Sequence, residues 1–173
     1  QANKSLLKVS LPILKNFEPL CKIPYRLVLS NNEGIPLYSQ NENYSTKEWY
    51  LFGKIHEANI FGTTAHHLCQ SLKRPVQLQG PEHFNDYLKD FVVTIAPVLD
   101  RTGNVCATVA INLALTSTPW DEYYQNSCCY FITLVSAIAV AISSRLSLDR
   151  GYQDLGRICR ELEKTNNLFS NTL

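Results

Sequence analysis

Apolar residues recur along this chain with two different periods. Between residues 3 and 17, Leu6, Leu7, Val9, Ile13, Leu14 and Phe17 fall at mixed spacings of three and four, which predicts an amphipathic helix kinked at Pro12. Tyr25 to Ser30 and Ile35 to Tyr38 read as two strands about the polar turn Asn31-Asn32-Glu33-Gly34. A polar stretch from Ser39 to Lys47 reads as loop. Residues 61–72 then read as a short helix capped by Thr63 or Thr64 and ended by Arg74-Pro75. Val76 to Leu78 is a short strand, and residues 81–84 open a turn or helix. The run Phe91 to Leu99, the turn Asp100-Arg101-Thr102-Gly103 and the run Asn104 to Leu113 form a second hairpin. Two hairpins with helices before, between and after them predict an α+β domain, an antiparallel sheet flanked by helices.

From Pro119 the pattern turns helical, with Thr118 at the N-cap, Pro119 at the first helical position and Asp121-Glu122 in the first turn. The apolar run Cys128 to Ile142 is interrupted by Thr133 and Ser136 and falls short of the roughly 20 residues that span a bilayer. It is expected as a buried helix, with no membrane partner. Gly151 costs about 1 kcal/mol relative to Ala, which a packed helix tolerates, so one helix is expected to run on to Phe169. Its last part carries a seam. Leu148, Tyr152, Leu155, Cys159, Leu162, Asn166 and Phe169 alternate spacings of four and three, with Leu148, Leu155, Leu162 and Phe169 at d and Asn166 at a. A single Asn in an otherwise apolar seam fixes register and favours parallel two-stranded pairing. The competing reading is a helix packed only on its own domain. The chain therefore divides into a domain over 1–145, including the helix at 3–17, and a coiled-coil-like signalling helix or linker over 146–173. The seam residues Leu148, Tyr152, Leu155, Cys159, Leu162 and Asn166 are expected to pair two copies and lead into a downstream domain.

Composition changes this picture little. With 173 residues, 45% apolar and 18% charged, the chain suits one globular domain. It starts at Gln1 and has no Met, which predicts a longer parent polypeptide. Sixteen basic against fifteen acidic residues, with no basic cluster among aromatics, argue against direct nucleic-acid contact. Six cysteines without a CxxC pair, in a chain with no signal peptide, predict reduced thiols and a cytoplasmic location.

Four stretches carry a resemblance: FGTTAHHL (61–68), KRPVQLQGPEHF (73–84), IAPVLDRTGNV (95–105) and TPW (118–120). In this order and spacing they resemble the GAF sensor domain of sigma-54-dependent transcriptional regulators, of the type that activates acetoin and glycerol catabolism. The resemblance covers roughly residues 5–145. It implies a GAF fold, a small-molecule pocket between the sheet and the short helices, and a following PAS or AAA+ domain of the same chain. Thr64 stands where that family usually has Asn, Thr94 to Ala96 lack its Cys, and Ala107 to Val109 lack its Gly.

The expected site is therefore a pocket for a small organic metabolite, walled by Phe61, Thr63, His67, His83, Phe84 and Thr94, aromatic surfaces with a few convergent polar groups. No catalytic residue, metal or resident cofactor is assigned. An enzyme would need an activated nucleophile with its base, or paired carboxylates, and no local motif supplies them. Three other readings stay open. His66 and Cys69, i and i+3 on one helix face, with His67 and His83, have the donor chemistry for a metal or haem sensor. Cys21, Cys69 or Cys106 would suit a Cys-dependent GAF-fold reductase. A structural dimerisation module with an empty pocket fits as well.

Overall fold

The computed structural model describes residues 2–17, 25–40, 62–115 and 122–170. Helix α1 spans Ala2–Phe17, with Pro12 inside it. Strands β1 (Arg26–Asn31) and β2 (Pro36–Gln40) form the first hairpin. Helix α2 (Ala65–Leu72) and strand β3 (Val76–Gln79) follow, then two short 3₁₀ turns at Gly80–Glu82 and Asp86–Leu88. Strands β4 (Phe91–Leu99) and β5 (Val105–Ala114) form the long hairpin, and α3 (Glu122–Ser170) closes the described chain. The five strands pair antiparallel in the order β2-β1-β5-β4-β3. This is the expected α+β arrangement, with boundaries displaced by one to a few residues. The predicted N-cap at Thr118, with Pro119 and Asp121, lies outside the described residues, as does most of the loop predicted at Ser39 to Lys47.

One face of the sheet is the main core. Leu27 and Leu29 of β1, Val92, Ala96 and Val98 of β4, and Val109, Ile111 and Leu113 of β5 pack against Leu6, Val9 and Leu14 of α1 and Phe131, Leu134, Val135, Ile138, Ala139 and Ile142 of α3. Each such aliphatic side chain, fully buried, contributes about 1.5–3 kcal/mol. The α1 residues are those the helical period picked out, and the α3 residues come from the apolar run at 128–142. By length and composition Cys129–Lys164 would also suffice to cross a bilayer, but its apolar face up to Leu146 is consumed by this core.

The opposite face carries a smaller cluster, Phe91, Val93, Ile95 and Ala114 under Ala65 and Cys69 of α2. Strand β4 is consequently buried on both sides along its length from Phe91 to Val98.

Two contacts tie the hairpin to the long helix. The Leu99 N–H donates to Ser143 Oγ at 2.9 Å. Arg101, in the β4–β5 turn, donates to the Ser147 carbonyl and reaches Asp154 at 3.5 Å. The turn itself is held by Asp100 Oδ1, which accepts from Thr102 N, Thr102 Oγ1 and Asn104 N, with Gly103 at φ +77. Helix α3 passes without interruption through the boundary expected at 145/146, and Leu146 still belongs to the core. Beyond it the seam residues Leu148, Tyr152, Leu155, Cys159 and Leu162 are all exposed, Tyr152 by 74% and Leu162 by 65%. Asn166 lies on the helix beyond the residues whose side chains are described.

Candidate ligand-binding site

The second face of the sheet holds a cavity of about 50 Å³. Its floor is Val28 and Ser30 of β1, Ala110 and Asn112 of β5, and Val93 and Ile95 of β4. Its walls are Pro36 of β2, Thr64, Ala65 and His66 at the start of α2, and His83 and Leu88 from the 3₁₀ segment. The space holds about three or four waters, or an organic molecule of comparable size in their place.

Strand alternation decides which residues reach it. In register, Val28 faces Ala110 across β1–β5, while Ile95 faces Ala110 and Val93 faces Asn112 across β4–β5, so these side chains share one face. Thr94 belongs to the other. It lies with Val92 and Ala96 on the core side, fully buried, and accepts a hydrogen bond from Gln77 Nε2 at 2.7 Å.

Helix α2 begins one residue later than a cap at Thr63 would require. Thr64 is the N-cap, in extended backbone, and its Oγ1 accepts from His67 N at 3.4 Å and contacts His67 Nδ1 at 3.1 Å. That start turns Ala65, His66 and Cys69 inward. His66 Nδ1 lies 3.3 Å from Thr108 Oγ1 in the buried interior. His67 turns back onto the cap instead, and Thr63 is exposed.

His83 is 2% exposed, and neither ring nitrogen has a hydrogen-bond partner of ordinary geometry among the described residues. Burial lowers its pKa from 6.5, with the Phe91 and Leu78 backbone oxygens and the Glu82 charge acting in the opposite direction. Asn112 is 4% exposed, and its Oδ1 likewise lacks a partner among the described residues. Buried polar atoms without partners are uncommon in folded proteins. Here both residues line one cavity.

The structure does not bring the expected residues together at this cavity. Of Phe61, Thr63, His67, His83, Phe84 and Thr94, only His83 lines the cavity. Thr63 is exposed, His67 caps α2, Phe84 is 75% exposed, and Thr94 is on the far side of the sheet. Phe61 lies outside the described residues. The residues missed are Ser30, Thr64, His66 and Asn112; a polar residue within an apolar strand run was the available signal for Ser30 and Asn112.

The cysteines divide by position. Cys69 is fully buried and desolvation pushes its thiol up to about 12, so it carries little thiolate at neutral pH. Burial and the Asp100 charge also raise Cys106, whose Sγ contacts the Val98 carbonyl. Cys21 lies outside the described residues. Among the described residues no three His, Cys, Asp or Glu side chains converge as a metal-binding group.

No family model and no curated protein sequence matches the chain. Solved structures do. A chain of the E. coli DhaR(N)-DhaL complex superposes with a TM-score of 0.75 at 18% identity, over 94% of this chain and 54% of that one. This chain therefore spans about half the length of that neighbour. The A. aeolicus nlh2 GAF domain, crystallised in an inactive state, matches at a TM-score of 0.51 and 11% identity, over 86% and 99% of the two chains. The fold is GAF-like. The transcriptional regulator YaiJ shares it at a TM-score of 0.54 and 14% identity, over 83% of this chain and 96% of that one. At such identities the likeness is one of fold, and the cavity of this GAF-like domain stands on its own geometry.

Proposed function

We propose that this GAF-like domain is the input module of a cytoplasmic bacterial transcriptional regulator of the sigma-54-dependent type. In this reading it binds a small organic metabolite in the cavity and relays the event through paired α3 helices to a downstream PAS or AAA+ domain. The carrying observation is the cavity itself, lined by His83 and by Asn112, whose Oδ1 has no partner among the described residues, on the sheet face opposite α3. The sequence motifs at 61–68, 73–84 and 95–105 and the DhaR(N) and YaiJ folds support a regulatory role.

The relay has a physical route. Strands β4 and β5 form the cavity floor, and the same hairpin grips α3 through Ser143, Ser147 and Asp154. Along and beyond that grip, α3 presents Leu148, Tyr152, Leu155, Ile158 and Leu162 to solvent. A contiguous apolar stripe of this kind marks an interaction surface, and the heptad spacing fits a second copy of the same helix in parallel. A non-catalytic role is part of the reading, since the raised pKa of Cys69 disfavours thiolate chemistry there.

Sedimentation velocity tests the relay. A concentration-dependent dimer is expected for the wild-type chain, and Leu155→Asp shifts it to monomer by at least tenfold in dissociation constant. A chain that stays monomeric, or a dimer indifferent to Leu155→Asp, overturns it. One observation favours a second input: DhaR(N) was crystallised with DhaL, so a protein docked on the domain would replace or supplement the metabolite.

A further inference from the structure

A groove of about 620 Å³ opens at the end of the domain where α3 leaves the core, walled by the first turns of α1, the β1–β2 and β4–β5 turns and α3 around Arg150. We infer that it binds a small zwitterion, an α-amino acid with an apolar side chain, its carboxylate on Arg150, its ammonium on Asp100 and its side chain over Leu6, Val105, Cys106 and Leu146. The site is separate from the cavity beside α2 and shares no lining residue with it.

Asp100 and Arg150 are the only charged residues lining the groove, and their signs are opposite. They lie near enough to act on each other: the Thr102 hydroxyl and the Asn104 N–H hold the Asp100 carboxyl below its usual range, and the Arg150 charge adds to this. Yet the two do not pair. Arg150 makes no ion pair or hydrogen bond among the described residues. Asp100 is held in its turn, because Oδ1 accepts from Thr102 Oγ1 at 2.7 Å, Thr102 N at 2.8 Å and Asn104 N at 3.0 Å. Arg101, the other cation of the turn, is already engaged by the Ser147 carbonyl and Asp154.

A ligand with one charge meets one attractive and one repulsive group in this groove, so a carboxylate alone or an amine alone gains little. A zwitterion complements both. An α-amino acid carries its two charged groups on one carbon, and charge-assisted hydrogen bonds of about 2.8 Å on either side let it bridge neighbouring side chains that do not touch. The floor is apolar: Leu6 and Leu146 belong to the core, and half-buried Val105 and Cys106 continue it. A branched aliphatic side chain has that surface to cover. The volume falls within the range of about 300–1,000 Å³ usual for small-molecule sites. Occupancy would join the β4–β5 turn to α3 beside the contact Arg101 already makes.

Leucine, 4-methylpentanoate and 3-methylbutylamine share a carbon skeleton and differ in head-group charge. Each is titrated calorimetrically into the full chain at neutral pH, with amide hydrogen exchange followed in parallel. Leucine is expected to bind saturably with a dissociation constant of about 1 mM, as solvent-exposed ion pairs allow, and about fivefold or more tighter than either analogue. Arg150→Gln weakens leucine by about fivefold or more and leaves the melting temperature unchanged, since Arg150 has no partner to lose. Bound leucine slows exchange over residues 100–106 and 146–153. Either analogue binding as tightly as leucine overturns the zwitterion class. Leucine affinity that survives Arg150→Gln, or that falls in Asn112→Leu instead, overturns the groove as the site. So does the absence of saturable binding by all three probes up to about 50 mM.

Discussion

The ring of Phe84 lies over Gly62, so close that a Cβ on Gly62 would come within 2.2 Å of Phe84 Cδ1. Gly62 is also at φ +65, where any other residue is strained. The contact joins the two segments that wall the cavity, the one entering α2 at Thr64 and the 3₁₀ segment bearing His83. Gly62→Ala is therefore expected to destabilise the domain by about 2 kcal/mol, roughly half from backbone conformation and half from displacing the ring. In a Phe84→Ala background the steric part disappears and the cost falls to about 1 kcal/mol. Urea denaturation of the four proteins measures this coupling; strictly additive costs would show that Phe84 does not rest on Gly62 in solution.

Burial of His83 sets a pH dependence. Because its folded pKa is depressed below 6.5, the unfolded chain binds a proton that the folded chain refuses. Above pH 6.5 the residue is neutral in both states and the fold carries no penalty. Below it, stability falls with decreasing pH until the folded value is passed. Melting temperature is expected to drop as the pH falls below about 6.5 more steeply in the wild type than in His83→Gln. Parallel curves for the two proteins would remove His83 as the source.

Arg101 offers a mechanical test. The pair with Asp154 is half exposed, so its loss costs at most about 1 kcal/mol. Arg101→Ala is instead expected to speed amide hydrogen exchange over residues 147–155 while leaving β4 and β5 protected. Gly151 probes the same contact, since a Cβ there would lie 2.7 Å from Arg101 Nη2. Gly151→Ala should gain the full helix-propensity term of about 1 kcal/mol only when Arg101 is also Ala. Equal gains in both backgrounds would mean that the guanidinium does not lie across the helix.

Much of the architecture could be read from the sequence because it depends on local period. The apolar face of α1 and the exposed seam of α3 both follow from three-four spacing, which a helix expresses whatever it packs against. The site was less legible. Thr94 stood out as the polar residue in an apolar run, yet β4 is buried on both faces, and such a strand has no apolar–polar alternation to tell one face from the other. Pairing alone reveals that Val93 and Ile95 face the cavity while Thr94 does not. At α2 the choice between Thr64 and Thr63 as cap decides which adjacent histidine turns inward, a difference of one residue that propensity does not resolve. Phe84, chosen as an aromatic wall, serves outside the cavity as a cover on Gly62.

The buried thiol gives a chemical check. With its pKa near 12 and no exposed surface, Cys69 is expected to resist iodoacetamide at pH 7.5 while exposed Cys129 and Cys159 react, as followed by mass spectrometry of the native protein. Alkylation of Cys69 at a rate matching those two would mean that α2 detaches from the sheet under native conditions.

The length of α3 has a geometric consequence. The helix leaves the core at Leu146 and continues to Ser170, an overhang of about 36 Å at about 1.5 Å per residue. A tilt of only about 5° about Leu146 would carry its tip through about 3 Å, more than the helix shifts of about 1–2 Å that suffice to switch a subunit interface. The overhang is a lever arm: the sheet need yield only by fractions of an ångström for the far end to change its neighbours.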